Sequence, residues 1–288
     1  MRPLALLAGS VFAGPPVSRV LPIGDLPTET DDRRRHASRV ILRRPLVGLA
    51  ALFTLTLSVP GDTLSAQLRD EPMAIQWWHP LAAGAGVATL FLVDEPLRDA
   101  LQNNRSSSLD DVAQVTKRFK EREVFLVASG GAIALGLIAR QPKVTATGAH
   151  IITAYALSSG LMIGTKWIFG RSRPSDTPDD PYNFDWFGGD SDSAFPSGSA
   201  AVVFSLATTL ADAIDRTPVS IVLYSGAVLN AWARLNSDRH WLSDVTLGAL
   251  YGITAAKLVN GRWTVFGLDL PSIWVDGRSA SLGYSLAF

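Results

Sequence analysis

The sequence predicts an all-α fold: a helical bundle of about six core helices, with amphipathic surface helices beside it and a short C-terminal β-hairpin. Three observations carry this expectation. Apolar segments of helical length recur from His79 to Leu258. They are built from alanine, leucine and other small residues rather than alternating β-branched ones, which favours helix over strand. Hydrophobic residues make up 47% of the chain against 18% charged, a composition that suits a globular or membrane bundle and excludes disorder. The 26 lysines and arginines balance 26 acidic residues, so the overall charge gives no sign of a nucleic-acid partner. Cysteine is absent, which excludes a disulfide framework, a thiolate nucleophile and a cysteine-held metal. His36, His79, His150 and His240 are too scattered for a histidine-rich metal site.

Residues 1–40 read as a leader, and 41–66 as a secretory signal peptide. The basic run RRRHASRVILRRP precedes the apolar stretch Leu46 to Val59, and PGDTLSAQ offers a small-residue cleavage site after Ala66. The alternative for the same stretch is a short membrane anchor. Residues 67–262 form the main helical domain, with core helices expected at His79–Val93, Val124–Ala139, Gly148–Phe169, Ser199–Ile214, Pro218–Trp232 and Leu242–Leu258. Their apolar runs are about 14 to 18 residues, short of the roughly 20 that a bilayer crossing takes. The bundle end opposite the motifs below carries Arg140, Lys143, Arg216, Lys257 and Arg262, a positive-inside pattern that would set the motifs in the periplasm. Signal cleavage would instead deliver Gln67 outside at that basic end. A soluble or peripheral bundle, periplasmic or secreted, avoids the conflict; the alternative is an inner-membrane bundle with a periplasm-facing site.

Between the first two core helices, residues 97–120 are charged and amphipathic and read as one or two surface helices, with Ser108 and Asp110 as caps. The segment from Ser175 to Phe195 is a long loop holding Asp176, Asp179, Asp180, Asp185, Asp190 and Asp192 together with Phe184, Trp186 and Phe187. It reads either as an apolar lid for a lipid tail or as an ordinary loop packed on the bundle. Residues 263–288 suggest two short strands around Asp276-Gly277.

Three short stretches carry chemistry. In KWIFGRSRP, Lys166 and Arg173 stand two helical turns apart, on one face near a helix exit that Pro174 would end. Taken alone, such cations are ordinary partners of a helix C-terminus. In AFPSGSAAVVF, Pro196, Ser197 and Gly198 lead into a helix whose free N–H groups and hydroxyl form an anion site, or simply a serine cap. In ARLNSDRHWLSD, His240 and Asp244 are four apart on one helical face, where the carboxylate can orient the imidazole and raise its nucleophilicity. Arg234 precedes them across a short turn. Together the stretches bring three cations, an anion-binding helix start and an oriented histidine to one end of a bundle.

These stretches resemble the type 2 phosphatidic acid phosphatase and vanadium haloperoxidase superfamily, whose pattern is K-x(6)-R-P, then P-S-G-H, then S-R-x(5)-H-x(3)-D. The first motif is complete here. The third is complete from Arg234, with Ala233 in the serine position. The second ends in Ser199 where the family has histidine. The resemblance covers about Gly148 to Leu258. It implies a phosphohydrolase that needs neither metal nor cofactor. His240 would attack phosphorus to give a phosphohistidine, and Asp244 would hold its ring. Lys166, Arg173, Arg234, Ser197 and the Gly198 N–H would bind the phosphoryl oxygens. The implied substrate is a phosphorylated lipid or small phosphate ester at a membrane surface. Positioning and charge neutralisation are what phosphoryl transfer chiefly needs.

The family histidine missing at Ser199 is the acid that protonates the leaving oxygen, a role typically worth about 10²–10⁴ in rate. A serine hydroxyl is too weak an acid for it. His150 lies sixteen residues before Lys166 on one helix, about 24 Å away, and His79 opens a helix at the wrong end. An aspartate of the 176–192 loop would need burial to hold a proton. A leaving group that needs little protonation is therefore expected, such as a diphosphate or aryl phosphate. Two other readings stand beside this one: a phosphate-binding descendant without turnover, and a vanadate-dependent haloperoxidase, for which vanadate would be the cofactor.

Overall fold

A computed structural model describes residues 72–118, 121–268, 272–275 and 280–283. The leader and the signal-peptide segment lie outside the described residues. The element order is β1 (Met73–Ile75), α1 (Trp78–Asn103), α2 (Ser107–Arg118), α3 (Glu121–Ile138), α4 (Pro142–Phe169), α5 (Gly198–Ile214), α6 (Thr217–Asn236), α7 (Leu242–Val259), β2 (Trp263–Val265), β3 (Ser272–Val275) and β4 (Ala280–Gly283). The expected helical bundle is present.

Small residues bring α5 and α7 together at its centre. Ala200, Ala201, Phe204, Ala207 and Ala211 of α5 are buried, as are Val245, Gly248, Gly252, Ala255 and Ala256 of α7. A Cβ on Gly252 would lie 2.3 Å from the Ala201 carbonyl oxygen, so the two backbones can approach this closely only where α7 lacks side chains. The surrounding helices turn apolar residues outward: Leu92 of α1 is 72% exposed, Val127 and Ile138 of α3 are 74% and 81%, and Val222 of α6 is 70%.

Several helices depart from their expected bounds. α1 does not stop at Val93 but runs past Pro96 to Asn103. Its second half is held by tertiary contacts that local sequence does not show: Arg98 pairs with Asp238 through Nε and Nη2 at 2.8 and 2.9 Å. The surface helix α2 is capped by Ser106, whose hydroxyl accepts from Leu109 N at 3.3 Å, rather than by Ser108 or Asp110. Asp110 instead accepts from Arg105 and Asn236. α4 begins at Pro142, and Gly170, left-handed at φ 51°, ends it by donating to the Lys166 carbonyl. Gly170 rather than Pro174 is therefore the stop, and Arg173 lies in the loop beyond the helix. With these extensions α1, α4 and α7 are long and apolar enough to cross a membrane, so the length argument for a soluble bundle does not hold.

β3 and β4 form the expected antiparallel hairpin, with Ser272 opposite Gly283 and Val275 opposite Ala280. The parallel pairing of β1 with β2, Met73 opposite Trp263, was not expected. It fixes the start of α1 beside the end of α7. α1, α4 and α6 then run toward one end of the bundle, where α5 and α7 begin, and the three sequence motifs meet there.

Candidate active site

At that end an open cavity of about 310 Å³ is lined by Lys166, Arg173, Gly198, Ser199, Arg234 and His240, all singled out from sequence, and also by Glu121 and Arg239, which were not. Lys166 reaches it from the last turn of α4 and donates to the Ser193 carbonyl. Arg173 comes from the loop, donating to the Asp192 carbonyl at 2.8 Å and to its carboxylate at 3.2 Å. Arg234 leaves the last turn of α6 and pairs with Glu121, the first residue of α3. The Nε of Arg234 is buried and has no hydrogen-bond partner among the described residues. A buried donor left unmade is costly, and an anion in the cavity would satisfy it. The start of α5 adds the positive end of a helix at Gly198.

Ser197 departs from its expected place. It is fully buried and does not line the cavity. Its hydroxyl caps α5 by accepting from Ala200 N at 3.4 Å, and its N–H donates to the Asp244 carbonyl at 2.9 Å. Ser199 does line the cavity, and its buried hydroxyl has no partner among the described residues.

His240 stands in the turn before α7, so it does not share a helical face with Asp244. Its Nδ1 lies 2.9 Å from the Ala194 carbonyl, which can only accept; that contact assigns the proton to Nδ1 and leaves Nε2 bare. Asp244 Oδ2 is 3.6 Å from Nδ1, beyond hydrogen-bond reach. The backbone carbonyl of Ala194 therefore sets the tautomer, while Asp244 acts on the ring through its charge. Burial pushes the His240 imidazole below its ordinary pKa, and Lys166 and Arg173 push it the same way, against the opposing pull of Asp244. A neutral imidazole with a bare nitrogen among cations can serve as a nucleophile toward an anionic phosphorus centre.

Behind the cavity lies a network that the motif reading missed. Arg171 is fully buried and uses all five N–H groups. It donates to Asp94 at 2.8 Å, to Asp244 at 2.6 Å, to Ser243 Oγ at 2.7 Å and twice to the Pro181 carbonyl at 2.9 and 2.6 Å. Its guanidinium also stacks 4.3 Å from the Phe91 ring centre and 5.2 Å from that of Trp241. Asp244 Oδ2 accepts from Trp241 N at 2.7 Å, fixing the residue next to His240. One signal was visible in the sequence: Asp94 interrupts the apolar run FLVDEPL, and a buried carboxylate requires a partner.

The loop aromatics pack on the bundle: Phe184 and Trp186 lie against Phe169 at 6.1 and 5.1 Å between ring centres, and Phe187 against Trp167 at 5.6 Å. Among the described residues no group of three histidine or acidic side chains is arranged to hold a metal ion.

Residues 147–264 match the family model of the PAP2 superfamily. The lipid A 1-phosphatase of Porphyromonas gingivalis is 34% identical over 110 residues, which are 38% of this chain and 21% of that protein. The aligned part thus spans about a fifth of the length of this curated relative. Among solved structures, LpxE of Aquifex aeolicus is similar at a TM-score of 0.42 with 25% identity, covering 57% of this chain and 92% of that one. The first transmembrane PAP2 type phosphatidylglycerolphosphate phosphatase from Bacillus subtilis gives 0.47 and 21%, covering 64% and 95%. The segment that joins α4 to α7, residues 147–264, is thus similar to the PAP2, or type 2 phosphatidic acid phosphatase, superfamily.

Proposed function

We propose that this chain is a phosphohydrolase acting on a lipid-linked phosphate or diphosphate ester through a phosphohistidine at residue 240. One observation carries the reading: the bare Nε2 of a buried, neutral His240 shares a cavity with Lys166, Arg173 and the unsatisfied Arg234 Nε. His240 Nε2 attacks phosphorus, and the cations with the start of α5 neutralise charge on the non-bridging oxygens. The positive charge comes from side chains rather than a metal. A water then hydrolyses the phosphohistidine. The relative's activity on lipid A favours a phosphorylated lipid substrate. The catalytic domain comprises residues 67–262.

A membrane setting fits that substrate. α1, α4 and α7 have the length and composition to span a bilayer, and the outward faces of α1, α3 and α6 are apolar. Trp77 and Trp78 are exposed at one end, Trp167 and Trp186 at the other. From Trp78 to Asp94, which is bonded to Arg171 behind the cavity, the rise is about 24 Å, close to a hydrocarbon core of about 30 Å flanked by aromatic belts. Arg140, Lys143, Arg216, Lys257 and Arg262 at the far end follow a positive-inside pattern, which supports a cytoplasmic position for that end and a cavity at the exported headgroup level. This inner-membrane reading sets residue 72 on the cytoplasmic side, opposite to what cleavage after Ala66 would require.

The test is hydrolysis by the purified full chain of lipid diphosphates, lipid monophosphates and an aryl phosphate, with His240→Ala as control. Diphosphate and aryl phosphate are expected well ahead of a simple alkyl phosphomonoester, with all turnover lost in the variant. Equal rates on every class would refute the leaving-group expectation. The buried Ser199 hydroxyl, which has no partner among the described residues, favours one other reading, a phosphate-binding descendant. Binding of phosphate or vanadate without turnover of any ester would establish it instead.

A further inference from the structure

We infer that Glu121 is the acid that protonates the leaving oxygen, in the place the family gives to the histidine missing at Ser199. The inference rests on the phosphohydrolase reading and deepens it: with Glu121 as the acid, the preference for diphosphates and aryl phosphates reflects their better leaving groups and not the lack of a proton donor. Of the residues lining the cavity, Glu121 alone carries a carboxyl group. The others are cations, hydroxyls, apolar groups and the nucleophile itself. A sphere of the cavity's volume is about 8 Å across, so an ester bound inside stands within hydrogen-bonding range of its walls or one water from them.

The local bonding suits a group that changes protonation. Arg234 Nη2 and Asn230 Nδ2, the latter at 3.1 Å, both donate to Glu121 Oε1, and Oε2 takes no bond among the described residues. In the empty site the ion pair with Arg234 favours the carboxylate. When a phosphoryl dianion arrives and shares the same guanidinium, two anionic groups sit side by side, which favours holding a proton on one of them. Asn230 accommodates either state. Its Oδ1 is buried and has no partner among the described residues, and a half-turn of the amide would present that oxygen to a carboxylic O–H.

In the first step the Nε2 lone pair of His240 forms the N–P bond. The bond from phosphorus to the leaving oxygen breaks, its electron pair stays on that oxygen, and the Glu121 proton moves there. In the second step the Glu121 carboxylate takes a proton from water as the water oxygen attacks phosphorus. The N–P pair returns to Nε2, phosphate departs, and Glu121 is again protonated for exchange with solvent. Sequence reading passed over Glu121 because it stands 45 residues before Lys166, at the edge of a segment that looks like a charged surface helix.

The experiment measures single-turnover rates of the full chain and of Glu121→Gln on a series of aryl monophosphates, from 4-nitrophenyl to unsubstituted phenyl phosphate. Glutamine keeps an oxygen for Arg234 and Asn230 but has no proton to give. The loss is expected to grow along the series, from under tenfold with the most acidic phenol to about 10²-fold or more with the least acidic. The progressive trend separates acid catalysis from a structural role, because misplacing Arg234 would slow every ester alike. A loss of one size across the series, or no loss, overturns the assignment and leaves His240 chemistry standing. Turnover that survives in His240→Ala would overturn the phosphohistidine at residue 240 as well.

Discussion

Replacing Arg171 by lysine keeps the positive charge and removes the geometry. The guanidinium spends five N–H donors on two buried carboxylates, a hydroxyl and a carbonyl, and an ammonium offers at most three. At least two bonds are lost inside a fully buried site. Hydrogen bonds to charged groups are worth about 1.5–3 kcal/mol each, and breaking a buried pair outright costs about 3–5 kcal/mol. A net destabilisation of about 2–4 kcal/mol is therefore expected for Arg171→Lys, and more for Arg171→Ala. At roughly 2–4 °C per kcal/mol for a domain of this size, Tm falls by about 4–16 °C. Activity falls as well, because Arg171 fixes the Asp244 carboxylate that in turn holds Trp241 N beside His240. The assay is thermal unfolding of the detergent-solubilised chain followed by tryptophan fluorescence, with kcat measured well below the transition. A Tm within about 2 °C of the parent and an unchanged kcat would refute the claim that this network positions the nucleophile.

Three further outcomes follow from the geometry. The imidazole of His240 is held below its ordinary value of 6.5, chiefly by burial, so on esters whose leaving group needs no proton kcat/KM stays level through neutral pH and falls only as pH drops through that lowered pKa. Asp244→Asn removes a contribution that raises it, so the acid limb of the surviving activity moves to still lower pH; an upward move would contradict the assignment. Gly252→Ala places a Cβ 2.3 Å from the Ala201 carbonyl and destabilises by about 1–3 kcal/mol, whereas Gly226→Ala, with nothing within 4 Å, is neutral or stabilising by up to about 1 kcal/mol. Because the chain has no cysteine, single cysteines at Asp179 and Arg216 report membrane sidedness. An impermeant maleimide on intact cells labels position 179 and spares 216 if the cavity faces outward; the reverse pattern, or labelling of both, refutes it.

The helices were legible because alanine- and leucine-rich runs declare themselves locally, and six residues of the three motifs line one cavity. What escaped depended on contacts between distant segments. α1 continues beyond Val93 because Asp94 and Arg98 find partners about 77 and 140 residues away, which no local pattern reveals. The histidine–aspartate spacing was read as one helical face, yet His240 precedes α7 and the Ala194 carbonyl does the orienting. Ser197 was assigned to the anion, whereas its side chain satisfies the first turn of α5. Glu121 and Arg171 were invisible as site residues because one comes from a neighbouring helix and the other sits in the variable middle of a motif.

Capture of the covalent intermediate bears most directly on all of this. Full-length protein mixed with a phosphate-labelled lipid ester, quenched within one turnover and digested, is expected to carry acid-labile, base-stable phosphate on the peptide containing His240. His240→Ala is expected to show neither label nor turnover. Rapid hydrolysis with no label on that peptide, or undiminished turnover in the variant, would contradict His240 as the nucleophile.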